Sequence, residues 1–356
     1  MKRAVVCLAA GESQLPVIRS AKSQGLAVIG VDRNPLAPGL TVSDAALVLS
    51  TYEAGPIIEA LQGLRQNFAL VGVVNRSSGP PVVTAAEIAS AFNLPGISPQ
   101  AARIAVDKGL LMAFCAEHGI VAPDCRTLTS GASLPEVNLP CVVKPALSLV
   151  GKSGVRRVEK KTDLAAAVAQ AAQCAVNGRV NIEQAVDGRD VSLVGVVISG
   201  HFQPLVLLDE INGLDEQGRV RGLAFAVPSR FHGDPVEHAV FFAAQRLIDA
   251  LGLDTGPCLL SFRITPTGVP HLIEAHLDLG GDRIVDHLLP AASGFDAIGW
   301  FVRALTGDFQ PAKLTFRPTA VVFATATDLC KSSHFELWSE ESCARLVQRL
   351  DSLLED

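Results

Sequence analysis

The chain has 356 residues, of which 49% are hydrophobic, 19% charged and only 5% aromatic. At about 150 residues per domain, that length implies two or three domains, and the apolar content excludes wholesale disorder. Thirty basic against 36 acidic residues leave a net charge of −6, which argues against nucleic acid as a partner, because an electrostatic binder needs a basic face. No apolar run approaches the ~18 residues that span a bilayer, so no membrane partner is expected. The eight cysteines, at 7, 115, 125, 141, 174, 258, 330 and 343, form no C-x-x-C. They read as buried thiols of a reducing, cytoplasmic compartment, neither a disulfide framework nor a zinc site.

The start, Met1-Lys2-Arg3 and then apolar residues to Ala10, superficially resembles a signal peptide. The apolar stretch is short and runs into Gly11 and Glu12, so a first β-strand over 4–9 is the better reading. A helix over 15–23 closes at Gly25, and strands are expected over 27–32, 45–49 and 70–74, with helices over 56–64 and 82–92. Such alternation builds a parallel, doubly wound sheet. Pro95-Gly96 and Ser98-Pro99 then mark a boundary.

Beyond it, a helix over 109–118 stops at Gly119. Strands follow over 140–145 and 155–158 around a small-residue turn at 147–154, then a helix over 163–174 and a strand over 180–186. Segments 192–198, 202–208 and 222–227 read as antiparallel strands. Asp234 caps a helix with Pro235 in its first turn and Gly252 as its stop. Strands over 258–264 and 271–276 flank the turn Thr265-Pro266-Thr267-Gly268. The tail reads as a helix over 296–305, a strand over 319–324 and a closing helix over 340–354.

Four segments carry chemistry. The loop from Ala9 to Gln14, with Asp32 ending the next strand, invites a dinucleotide reading, but G-x-G-x-x-G is absent and a tight βα turn explains it. Lys144 closes a strand before Pro145, and Ser148, Gly151 and Ser153 lie in the following loop. Such a strand–loop–strand flap lays backbone N–H groups over a polyphosphate, with the lysine as a point charge. Taken alone, a plain hairpin with a surface lysine is the better reading. In the stretch Glu183-Gln184-Ala185-Val186-Asp187-Gly188-Arg189-Asp190, Glu183, Val186 and Asp190 suit an adenine amino group, a ring nitrogen and a ribose in turn. On a strand, Glu274, His276 and Asp278 share one face. Three polar groups there are costly to bury without a ligand, a metal or solvent. The alternative is a solvent-facing strand edge.

In this order, these features resemble the ATP-grasp superfamily, especially its carboxylate–amine ligases, which include the amino-acid (dipeptide) ligases, and its carbamoyl-phosphate-synthase-like proteins. Leu94-Pro95-Gly96-Ile97-Ser98, Asp107-Lys108, Gly119-Ile120-Val121-Ala122-Pro123 and Leu251-Gly252-Leu253-Asp254-Thr255-Gly256 join the flap, the Glu183 hinge and Glu274 in carrying the resemblance. It implies an α/β N-terminal doubly wound parallel sheet (1–98), followed by two α+β lobes. The first lobe covers 99–190, with a flap at 146–154, and the second covers 191–311, with a pair of metal-binding strands. A short extension, 312–356, follows, and relatives with a longer C-terminal subdomain lead one to expect an open pocket or one completed by a partner subunit. The implied reaction phosphorylates a small carboxylate from ATP, with Mg²⁺ or Mn²⁺, and an amine displaces the phosphate to give an amide. A homodimer in a biosynthetic setting is the usual form.

By resemblance, Lys108 and Lys144, with Ser148, Gly151 and Ser153 of the flap, hold phosphates. Glu183 meets the adenine amino group, Gln184 and Val186 offer backbone contacts, and Asp190 meets the ribose. Glu274 and His276 are the metal ligands. Three positions depart from the family pattern: Ser261 stands for a metal-binding Glu, His276 for an Asn and Asp278 for an Arg. A hydroxyl is a poor substitute for a carboxylate on Mg²⁺. One rescue has Asp278 supply the missing carboxylate and Arg263 or Arg230 the missing positive charge. The competing readings are a degenerate protein that binds nucleotide or metabolite without ligation, and a related carboxylase or phosphoribosyl-amine enzyme.

Overall fold

The computed structural model describes residues 1–129, 131–323 and 335–354. The chain begins with β1 (Lys2–Leu8), α1 (Leu15–Ser23), β2 (Ala27–Val31), α2 (Pro38–Val42), β3 (Ala45–Leu47), α3 (Ala54–Leu64), β4 (Phe68–Asn75) and α4 (Pro80–Ala91). The four strands form a parallel sheet in the order β3-β2-β1-β4. All five residues of β2 are buried, as expected of a parallel strand covered by helices on both faces.

The punctuated segment at 98–99 is not a plain linker. Ser98 accepts a hydrogen bond from the Ala101 N–H and Pro99 fills the first turn, so the segment opens α5 (Pro99–Val106). A capping hydroxyl followed by proline starts a helix as readily as it breaks a chain. Then α6 (Lys108–Glu117) begins at Asp107, whose carboxylate accepts from the N–H groups of Gly109 and Leu110.

A second, antiparallel sheet combines β5 (Cys125–Leu128), β6 (Cys141–Pro145), β7 (Arg156–Val158) and β8 (Val180–Gln184) in the order β5-β8-β6-β7. It is backed by α7 (Lys161–Cys174), with Val143, Ile182, Leu164 and Ala171 in the shared core.

The largest sheet has seven strands: β9 (Arg189–Ile198), β10 (His201–Leu214), β11 (Val220–Val227), β12 (Gly256–Ile264), β13 (Pro270–His276), β14 (Thr319–Phe323) and β15 (Phe335–Ser339). Between them run α8 (Pro235–Leu251), a π-helical turn (Ile284–Leu288), α9 (Leu289–Ser293) and α10 (Ala297–Thr306). One face, with Val191, Leu193, Leu260 and Phe262, packs on α6 and α8. The other, with Val194, Val196, Val206 and Leu208, packs on α10 and on Val5, Cys7 and Ile18 of the N-terminal sheet unit. That second face turns polar at one end, where alternation brings Asp190, Ser192, Glu210, Ser261, Arg263, Glu274 and His276 into a cleft.

The tail departs from expectation. An unexpected strand, 335–339, pairs to β14, and the closing helix expected over 340–354 is α11, Cys343–Asp351. The strand alternates Phe335, Leu337 and Ser339 with Glu336 and Trp338, a weak signal beside the amphipathic helix that follows. Ala324 and Cys330 lie outside the described residues. The other seven cysteines are free thiols, and burial pushes those of Cys7, Cys115 and Cys258 up to about 12. Among the described residues no helix is long and apolar enough to cross a membrane.

Candidate functional site

A cleft of about 490 Å³ lies between the second sheet, the polar end of the large sheet and the flap. It is lined by Lys108, Lys144, Ser148, Gly151, Glu183, Gln184, Val186, Asp190, Arg263, Glu274 and His276, all expected site residues. Ser153, Arg230 and Asp278 do not line it.

The deepest part is a buried ion pair. β6 and β8 are paired, and the Lys144 Nζ lies 2.9 Å from Glu183 Oε2, both side chains about 96% enclosed or more. Burial opposes the charge on Lys144, but the Glu183 and Glu274 carboxylates outweigh it and raise its pKa. The second Glu183 oxygen, Oε1, is buried and has no hydrogen-bond partner. An enclosed acceptor without a donor is costly, so this oxygen fits a ligand N–H. Beside it, Gln184 is tied by its side chain to the Pro140 carbonyl.

Gly188 lets the chain turn from this hinge into β9. Its φ is +151°, and a Cβ there would lie 2.0 Å from the Ile264 carbonyl oxygen. The turn delivers Asp190 to Arg263, which holds it in two bonds of 2.7 and 2.6 Å and also donates to the Val186 carbonyl at 3.2 Å. The residues assigned to ribose and to catalysis are thus partners.

On β13, Glu274 is held on one oxygen by Lys108 at 3.6 Å and on the other by His276 at 3.0 Å. Lys108 is positioned by the Asp107 cap and by its own N–H, bonded to the Ala146 carbonyl at the base of the flap. Burial opposes ionisation of Glu274, but Lys108, His276 and Lys144 hold its carboxyl well below the usual range. Burial likewise disfavours the His276 cation, and Glu274 overrides it to raise the imidazole pKa. Ser261 pairs in register with Glu274 and with Ser192, and the two serine hydroxyls are 3.3 Å apart.

The expected rescue is corrected by the geometry. β13 ends at His276, the chain turns, and the buried Asp278 carboxylate accepts instead from the Gly280 N–H (2.8 Å) and Ser78 Oγ (3.1 Å). Arg230 is pinned to Asp209 at 2.7 Å, with Asp351 at 3.4 Å. Ser153 donates to Cys174 Sγ, away from the cleft.

Sequence reading missed Glu210, Asn212, Ser192 and Lys152, all of which line the cleft. Glu210 accepts from Lys152 Nζ (2.8 Å), Ser192 Oγ (2.9 Å) and Asn212 Nδ2 (3.1 Å). The available signal was polar alternation, Glu210-Ile211-Asn212, at the end of an apolar run.

Phosphate and Mg²⁺ chemistry fits this donor set. Lysines and flap N–H groups suit phosphates, and the oxygens of Glu274 and Ser261 suit a hard cation that takes few protein ligands beside phosphates. Among the described residues no group of three or more His, Cys, Asp or Glu is arranged to hold a metal by itself.

No family model matches the chain. It is 27% identical over 277 residues to the uncharacterized protein y4rH of Sinorhizobium fredii, covering 73% of this chain and 54% of that one. It is 28% identical over 254 residues to a formate-dependent phosphoribosylglycinamide formyltransferase of Nitratidesulfovibrio vulgaris, covering 69% and 61%. The chain therefore spans less than two thirds of the length of these curated relatives. Among solved structures, an L-amino acid ligase from Bacillus licheniformis superposes with a TM-score of 0.77 at 18% identity, over 99% of this chain and 98% of that one. An N5-carboxyaminoimidazole synthetase from Staphylococcus aureus, complexed with ADP, gives 0.77 at 14% identity over 99% and 97%. With a parallel N-terminal sheet followed by two sheets that face each other across a lysine-lined cleft, the chain has the ATP-grasp fold.

Proposed function

We propose that this chain is an ATP-dependent ligase that joins a small carboxylate to an amine. The carboxylate oxygen takes the γ-phosphoryl group and ADP leaves. The amine nitrogen then attacks the acyl carbon, phosphate leaves, and the nitrogen gives up its proton. The observation that carries this reading is the unpartnered, buried Glu183 Oε1 beside Lys144, an acceptor and a cation at the closed end of one cleft.

In this reading Glu183 Oε1 accepts from the adenine amino group and Asp190, steadied by Arg263, faces the ribose. Lys108 and Lys144 neutralise phosphates, and the flap around Ser148 and Gly151 excludes water above them. Mg²⁺, when bound, would supply charge neutralisation at the phosphates; Glu274, with Ser261 and His276, would hold it. Catalysis then rests on positioning and electrostatics rather than on a covalent protein intermediate. The division of the chain at 98, 190 and 311, the homodimer and the cytoplasmic setting belong to the same proposal. Free, buried thiols support a reducing compartment.

A second reading, nucleotide binding without ligation, is favoured by Ser261 and by the enclosure of Asp278. The test is ADP release from ATP with a panel of carboxylic acids and amines, with Mg²⁺ and with Mn²⁺. Release that requires one acid and one amine is expected. Tight ATP binding with no release from any pair establishes the second reading, and no ATP binding overturns both.

A further inference from the structure

Lys152 carries an ammonium group into a site built for one. Its carboxylate is Glu210 Oε1, 2.8 Å away, and the Phe225 ring lies beneath the nitrogen at 5.7 Å. Asn212, whose Nδ2 donates to the same Glu210 oxygen, has a buried Oδ1 with no hydrogen-bond partner, which Lys152 does not reach. A carboxylate, an aromatic face and a spare amide oxygen together are the chemistry of ammonium recognition. Gly222 keeps the approach open, since a Cβ there would lie 3.0 Å from the lysine nitrogen.

Two features separate this site from a structural ion pair. Glu210 already receives Ser192 and Asn212, so its oxygens keep donors when the lysine leaves. Lys152 sits in the flap, with φ at +59°, on a loop rather than on a strand. It also lines the cleft together with Lys108, Lys144 and the flap residues Ser148 and Gly151.

We propose that Glu210, Asn212 and Phe225 form the receptor for the primary ammonium group of the amine substrate, which passes one proton to the Glu210 carboxylate so that the neutral nitrogen can attack and lose its second proton afterwards. Lys152 fills this receptor in the structure and yields it when nucleotide phosphates draw the flap lysine to themselves. The first half rests on the ligase reading above, and the second half on its nucleotide binding. It makes binding ordered, nucleotide before amine, and it selects amines that are protonated on arrival over neutral amides or guanidinium groups. The guanidinium-to-carboxylate arrangement next door, Arg263 on Asp190, is already complete.

The test uses the full chain with Lys152→Gly, because glycine accepts a positive φ without strain, and Lys152→Ala as a second variant. Methylammonium chloride is titrated against sodium chloride and tetramethylammonium chloride at matched ionic strength, followed by calorimetry and thermal unfolding. Methylammonium is expected to bind with a saturable rise in Tm that neither reference salt produces, and Glu210→Gln in the same background is expected to abolish it. An equal response to methylammonium and sodium, or a response that survives Glu210→Gln, overturns the receptor. In the natural chain, a saturating Mg²⁺ complex of the non-hydrolysable analogue AMP-PNP is expected to tighten methylammonium binding about tenfold. An unchanged affinity in the presence of bound analogue overturns the exchange. Failure of the analogue to bind overturns the nucleotide reading and the exchange together, while the Lys152→Gly titration still decides the receptor.

Discussion

Two lysine–glutamate pairs face the same cleft and differ in everything but composition. Lys144 and Glu183 sit on paired strands, with side chains 3% and 4% exposed. Lys152 and Glu210 join a loop to a strand, with side chains 30% and 11% exposed. The first pair is held by the sheet that presents it, and removing either member strands a buried charge. The second has one partner on a strand and one on a loop, and the strand's carboxylate keeps other donors. The contrast separates a pair that the sheet holds in place from one that, on the proposal above, gives way to a ligand.

The largest expected effect tests the fixed pair. Lys144→Met leaves the Glu183 carboxylate buried without its cation and is expected to cost about 3–5 kcal/mol in urea unfolding. Lys144→Met combined with Glu183→Leu is expected to recover most of that loss, because no charge is then stranded. A double variant as unstable as the single one would show that the penalty comes from lost packing instead.

Lys152→Ala should cost far less, about 1 kcal/mol or under, in the range of partly exposed pairs. A loss approaching that of Lys144→Met would erase the distinction and make the flap lysine a structural element.

The smallest effect belongs to a third pair, Glu274–His276, the most exposed of the three at 27% and 32%. The imidazole pKa is raised above its ordinary 6.5 in the folded chain. Its stabilising contribution is therefore complete below about 6.5 and is lost as pH rises through the raised value. The stability difference between the natural chain and His276→Gln, followed by urea unfolding from pH 6 to 9, is expected to shrink with rising pH. A difference that grows over that range would reverse the sign assigned to the pair.

Lys144 and Glu183 were legible because each sits in a short strand bounded by turn residues, where local pattern fixes position. Asp278 was misplaced because face alternation was carried beyond the strand; the chain turns after His276, and Gly280, at φ +68°, helps it do so. Arg230 was misjudged because its partner, Asp209, lies on the opposite side of β10 from Glu210, a side that only strand register reveals. Glu210 was missed because its strand reads as ending at 208, whereas pairing to β11 carries it on to Leu214.

The sequence by itself determined the parallel N-terminal sheet, the helix cap at Asp234 and the lysine-bearing strand before the flap. Those depend on periodicity and on contacts a few residues apart. Tertiary structure alone decided which charges meet. Lys152 and Glu210 are 58 residues apart, Arg263 and Asp190 are 73 apart, and Ser78 and Asp278 are 200 apart. With 30 cationic and 36 anionic side chains in the chain, local patterning cannot choose among the pairings. Strand register and loop path choose them, because a charge is stabilised only by what packing brings within a few ångströms.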